Sequence, residues 1–202
     1  MEWIFLAIIL IFSVVFHEVS HGVMANYLGD QTAKNEGRLT LNPLPHLDLM
    51  GSIILPALLI LSKTGIIFGW AKPVPINPYN FRDQKYGEAK VAIVGPLANF
   101  SLALVFGLVI RFFSYSLDPS VIYFLTYIVY INIMLAVFNL VPIPPLDGSH
   151  ILFTFLPESA RSLKRFLSQY GFVILFIIIF FYFEWISIIT QNLFILITGA
   201  TL

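Results

Sequence analysis

Apolar runs of bilayer length, separated by short polar breaks, dominate the chain, and each such run predicts a membrane-spanning helix. Trp3–Leu28, Val91–Phe113, Val121–Val141 and Tyr170–Ile197 are all long enough. A further run, Leu47–Leu61, is interrupted by Gly51 and Pro56 and closed by Lys63-Thr64-Gly65, so it is marginal for a crossing and reads as re-entrant or interfacial. Between the first run and this one the composition turns polar. Gly29-Asp30 marks a helix end, and the apolar/polar alternation of Gly37–Asn42 predicts a brief strand or β-hairpin. Two readings of that strand stay open, a solvated segment with no special role or an edge for pairing an extended chain. Gly69–Pro78 is rich in proline and reads as a stiff loop at the membrane surface, with Trp70 among the headgroups. Pro142, Pro144 and Pro145 stop the third span; a short apolar piece, Ile151–Leu156, and a polar break, Pro157–Gln169, precede the last run. The expected fold class is an all-α polytopic membrane protein of about 4–6 transmembrane helices, with a short β-hairpin and a possible re-entrant segment.

Composition agrees with that pattern. Hydrophobic residues make up 58% of the 202 residues and charged residues 11%, with a mean hydropathy of +0.88. An integral membrane protein follows, built as a single domain over residues 1–202, with a core at about 3–156 and a helical region at 157–202. The first run lacks a basic start and carries candidate chemistry, so it is expected to be retained rather than cleaved as a signal peptide. Cysteine is absent, which excludes disulfides, thiolate metal sites and a cysteine nucleophile. Net charge is zero and no basic tract occurs, so nucleic-acid binding has no support and the bilayer is the partner that composition announces.

The candidate chemistry lies inside the first run. His17-Glu18-Val19-Ser20-His21 has the form H-E-x-x-H, and residues four apart on a helix aim both imidazoles at one point, where they could hold a zinc ion. Glu18, beside the first histidine, could take a proton from a water at the metal and return it to a leaving amine, the use metalloproteases make of this motif. Asp147 follows the third span on proline-broken backbone. A carboxylate at membrane depth costs about 2.5–3.5 kcal/mol, so it needs a partner or a cation, and two histidines leave room for a third ligand. His46, alone after a proline, reads as structural; Asn99, polar within a span, reads as an interhelical hydrogen-bonding group; Glu184, in the last run, has no assigned role.

For Asp147 to reach the histidines, the first and third long spans must run parallel, so one crossing separates them and Leu47–Leu61 should not cross. That arrangement puts ten of the eleven Lys and Arg on one face, with Arg111 as the exception, and the basic face is expected to be cytoplasmic. The site then lies nearer the cytoplasm and the N-terminus outside.

His17-Glu18-x-x-His21, Gly95-Pro96-x-x-Asn99 and Asn139-x-x-Pro142-x-Pro144-x-Leu146-Asp147-Gly148, in that order, resemble the three motifs of the site-2 proteases, intramembrane zinc metalloproteases that cut within or beside transmembrane segments. The resemblance covers about residues 3–156. It implies one zinc per chain held by His17, His21 and Asp147, Glu18 as catalytic base, Asn139 assisting at the substrate strand or oxyanion, and a transmembrane protein as substrate. His150 is expected to be a bystander or to support the ligands from behind. The PDZ and CBS domains of many relatives are not matched, which suggests a minimal form and a prokaryotic cell membrane. A substrate helix must unwind, so pairing with the Arg38–Asn42 edge is expected, with the cleft opened by the last helices. The rival readings are a membrane zinc transporter and a noncatalytic relative that binds membrane segments.

Overall fold

A computed structural model describes residues 2–61 and 70–200. Helix α1, Glu2–Tyr27, is followed by the single turn α2, Thr32–Asn35. A widened turn at Leu49–Ile54 runs into α3, Leu55–Leu61. Then come α4, Gly87–Phe113; α5, Pro119–Asn139; α6, Asp147–Phe155; and α7, Arg161–Thr198. Four helical stretches are long and apolar enough to cross a membrane: Ile4–Tyr27, Gly87–Ser116, Pro119–Asn139 and Glu158–Phe181. At most 33% of the apolar window in any of them is buried inside the chain, so most of their surface faces outward, as lipid requires.

Local sequence explains where the helices start and stop. Asp118 accepts a hydrogen bond from the Ser120 N–H and Pro119 occupies the first turn, which together begin α5. Gly199, at φ 72°, ends α7 in the left-handed conformation. The last turn of α7 is also held from outside, because Arg111 at the end of α4 donates to the Leu196 and Ile197 carbonyls at 2.7 and 3.3 Å. Arg111, the exception to the charge bias read from the sequence, therefore has a capping task of its own.

The core joins α4, α5 and α7 through Ala103, Ile110, Val129, Ile133, Phe194 and Ile197. Helix α1 packs beside α4, with Ala25 and Leu28 against Phe81 and Val91. Helix α4 is thus central.

Two expectations need correction. Among the described residues there is no strand, so the β-hairpin at Gly37–Asn42 does not form. Its polar groups bond locally or elsewhere: Asn42 N–H donates to Thr40 Oγ1, Leu44 N–H to Asn42 Oδ1, His46 Nε2 to the Thr40 carbonyl, and Pro43 and Pro45 have no N–H to offer a ladder. The described part of the marginal run, Leu49–Leu61, covers about 20 Å at helical rise; its expected end at Lys63–Gly65, like the Gly69 start of the proline-rich loop, lies outside the described residues. The polar break before the last run is also shorter than Pro157–Gln169, since α7 is already helical from Arg161.

Candidate metal centre

Helix α1 presents His17 and His21 one turn apart, facing α4, and the Leu140–Leu146 loop delivers Asp147 to them at the first turn of α6. His17 Nε2 lies 3.0 Å from His21 Nε2 and 3.1 Å from Asp147 Oδ2, and His21 Nε2 lies 3.3 Å from the same oxygen. A tetrahedral ion with bonds of about 2.0–2.1 Å sets its ligand atoms about 3.3 Å apart, close to this spacing.

Hydrogen-bond polarity decides what those atoms can do. His21 Nδ1 is 2.7 Å from the Val91 carbonyl, which can only accept, so Nδ1 carries a proton and the neutral ring has its lone pair on Nε2. His17 Nδ1 donates to Asn99 Oδ1 at 2.7 Å. The amide of Asn99 is oriented in turn, because its Nδ2 donates to the Ser13 carbonyl at 3.1 Å and to Asn132 Oδ1 at 2.9 Å. Asn132 Nδ2 donates to Ser13 Oγ and to the Ile128 carbonyl. In their neutral form both imidazoles therefore turn Nε2 lone pairs toward Asp147 Oδ2, which is buried and, among the described residues, has no other partner than these rings. With both rings neutral, three lone-pair donors meet, an arrangement that suits a cation, and two nitrogens with one carboxylate oxygen suit zinc.

Gly95 makes the space. A Cβ there would stand 2.3 Å from His21 Nε2 and 2.7 Å from His17 Cε1, so any side chain would push the imidazoles out of place.

Glu18 lies beside this cluster, half-buried, and its Oε2 accepts from the Val74 N–H at 2.8 Å. Val74 belongs to an extended strap, Trp70–Asn77, that crosses the site. Buried Arg38 donates to the Lys72 and Pro73 carbonyls, the Lys72 N–H donates to the His46 carbonyl, and the Asn77 N–H donates to Asp30 Oδ2. Asp30, brought round by the turn at Gly29 (φ 112°), also accepts from Thr32 and Asn80. Burial would raise its carboxyl pKa, but these hydrogen bonds outweigh that and hold it below the ordinary value.

Asn139, at the end of α5, lines the site and commits one amide N–H to the Leu135 carbonyl, and its other N–H and its oxygen make no hydrogen bond among the described residues. The remaining candidates stand apart. His150 is exposed at the rim, 3.5 Å from Glu88; His46 is buried and bonded to Thr40; Glu184 is exposed on α7. Asn99 does join another helix, as its place in a span suggested, and it also holds His17. Ser13, Asn132 and the Val74 N–H were not foreseen. Asn132 is seven residues before Asn139 in an apolar helix, a spacing that puts both amides on one face and could have drawn attention to it. Among the described residues no second cluster of three metal-binding side chains occurs, where a transport path would need staggered sites.

The model of peptidase family M50 matches residues 114–181. YwhC of Bacillus subtilis (strain 168) is 36% identical over 183 residues, covering 87% of this chain and 80% of that protein. Rip2 of Mycolicibacterium smegmatis is 34% identical over 173 residues, 83% of this chain and 63% of that one. MJ0392 of Methanocaldococcus jannaschii is 28% identical over 163 residues, 80% of this chain and 37% of that one. All three are named as zinc metalloproteases. No solved structure matches. With a relative of this identity covered over most of its length, and with apolar helices of bilayer length, the chain belongs to peptidase family M50, the site-2 proteases, and is an integral membrane protein.

Proposed function

We propose that this chain is an intramembrane zinc metalloprotease that hydrolyses peptide bonds in or beside transmembrane segments of membrane-protein substrates. One observation carries the reading: one ligand atom each of His17, His21 and Asp147 meet at one point, with the carboxylate of Glu18 beside it. His17, His21 and Asp147 would hold one zinc ion per chain. When bound, the ion supplies Lewis-acid activation of water and of the scissile carbonyl.

The chain's own groups do the rest. Glu18 takes the proton from the attacking water and passes it to the departing amide nitrogen. The Val74 N–H holds the Glu18 carboxylate at the site. Asn139 offers its free N–H or its oxygen to the substrate backbone. The Asn99 amide and the Val91 carbonyl keep the protons of His17 and His21 on Nδ1. With ten of eleven cations on the site's side, the site faces the cytoplasm of a prokaryotic cell membrane, and residues 1–202 act as one domain.

The test is cleavage of a single-span reporter co-reconstituted with the pure protein in liposomes. The reading expects cutting that a chelator abolishes and zinc restores. Cutting that survives complete removal of metal contradicts it.

A further inference from the structure

Helix α7 carries polar groups on a face that no described residue covers. Its inner face, marked by Ile186, Thr190, Phe194 and Ile197, is buried, with Phe194 and Ile197 packed into the core shared with α4 and α5. On the opposite face Ile177, Phe181, Glu184, Ile188, Gln191 and Ile195 are all exposed. Their numbers rise by four and three in turn. Side chains at that spacing form one seam along a helix, the seam by which two helices pack side by side at a shallow angle.

The depth of the seam follows from the end of α7. Ile197 lies against Gly107 of α4, and Arg111 reaches the Leu196 and Ile197 carbonyls, so the two helices end at one level. Glu184 lies about 20 Å of helix back from that level and Gln191 about 9 Å, both inside a hydrocarbon core about 30 Å thick. Glu184 makes no hydrogen bond or ion pair among the described residues. Gln191 makes only a long one, its Nε2 donating to Ser187 Oγ at 3.5 Å. An acid that faces hydrocarbon is costly until it finds a partner, and amides within spans commonly join one helix to another. The partner of these two groups therefore comes from outside the described chain.

A second copy of the chain fits them. Copies inserted alike in one membrane present Glu184 and Gln191 at equal depths, and a two-fold axis along the seam sets each group against its own counterpart. Both groups suit such pairing, since two carboxyls sharing a proton, like two amides, donate to and accept from their own kind. We propose that two copies of the chain associate through α7 along this seam, carboxyl to carboxyl at Glu184 and amide to amide at Gln191, with Ile177, Phe181, Ile188 and Ile195 packed between the helices.

The chain has no cysteine, so single introduced cysteines map the seam in the intact protein. In liposomes at low protein density, oxidation is expected to join Ile188→Cys and Ile195→Cys into disulfide-linked pairs several times better than Ile189→Cys and Leu196→Cys. Those two positions are exposed at nearly the same depths on another side of α7. Energy transfer between copies labelled at the N-terminus, followed as lipid is diluted, then tests the polar groups. Replacing Glu184 and Gln191 together with leucine is expected to weaken association about 5–30-fold, whereas Glu184→Gln, which can still donate and accept, keeps most of it. Equal joining at all four cysteine positions, or no energy transfer for wild type, overturns the pairing. Association that survives the double leucine variant overturns the role given to Glu184 and Gln191. A wild type that pairs only after a helix with a basic residue is added to the liposomes assigns Glu184 to an ion pair with another protein and likewise contradicts the proposal.

Discussion

The Nδ1 atoms of His17 and His21 determine what their Nε2 atoms can offer. Each Nδ1 is tied to an acceptor, one the Val91 carbonyl and the other the Asn99 amide, whose polarity is set through Asn132 by the Ile128 carbonyl. Replacing Asn99 with alanine leaves the His17 tautomer undirected and opens a gap beside the ring. Zinc affinity is expected to fall about 10–100-fold, measured by competition with a chromophoric chelator, while the fold persists. Unchanged affinity would show that Asn99 only joins helices. The cluster of His17, His21 and Asp147 was legible in the sequence because helical spacing fixes the relation of His17 to His21, and because an acid beside a proline-broken helix end needs a partner or a cation. Ser13 and Asn132 were not legible. A polar residue in a span has many possible partners, and only tertiary packing chooses among them.

Among the elements, the strap Trp70–Asn77 does most to shape the site without contributing a side chain to the metal cluster. Pro73 and Pro75 lack N–H groups, so Val74 has the one donor between them, and it is aimed at Glu18. Val74→Pro removes that donor. A hydrogen bond to a charged group is worth about 1.5–3 kcal/mol, so cleavage is expected to drop about 10–100-fold with zinc content unchanged, and Val74→Ala, which keeps the N–H, to lose far less. Equal losses in the two variants would remove the Val74 N–H from the mechanism. The strap's far end hangs on Asp30. Because the folded-state pKa of that carboxyl is lowered, its contribution to stability is complete above the ordinary carboxylate range and is lost as pH falls through the lowered value. Thermal unfolding in detergent between about pH 6 and about pH 3 should show this loss, and Asp30→Asn should reduce it. The strap was visible in sequence only as a stiff proline-rich loop, whereas the Arg38–Asn42 alternation suggested a strand that does not form. Alternation reports a half-buried extended chain only if a partner strand exists; here Arg38 turns inward to the strap's carbonyls and no partner is present among the described residues.

For the whole molecule, the parallel run of α1 and α5 around α4 brings the two halves of the site together, and it follows from one full crossing between them. The parallel run was inferable, since it alone lets Asp147 meet the histidines, and it is seen in the pairs Phe5–Phe124 and Ser13–Asn132. Arg111, the exception to the charge bias, caps α7. Helix α7 was legible as an apolar run but not in its continuity from Arg161, which tertiary packing allows where polar composition suggested a break. The whole arrangement is tested most directly by measuring bound zinc and reporter cleavage on the same preparations of wild type, Glu18→Gln and Asp147→Ala. Wild type should bind one zinc and cut. Glu18→Gln should keep its zinc while cleavage falls about 10²–10⁴-fold, the usual contribution of a general acid–base group, and Asp147→Ala should lose both. A Glu18→Gln protein that cuts like wild type, or an Asp147→Ala protein that keeps zinc at wild-type affinity, would contradict the account.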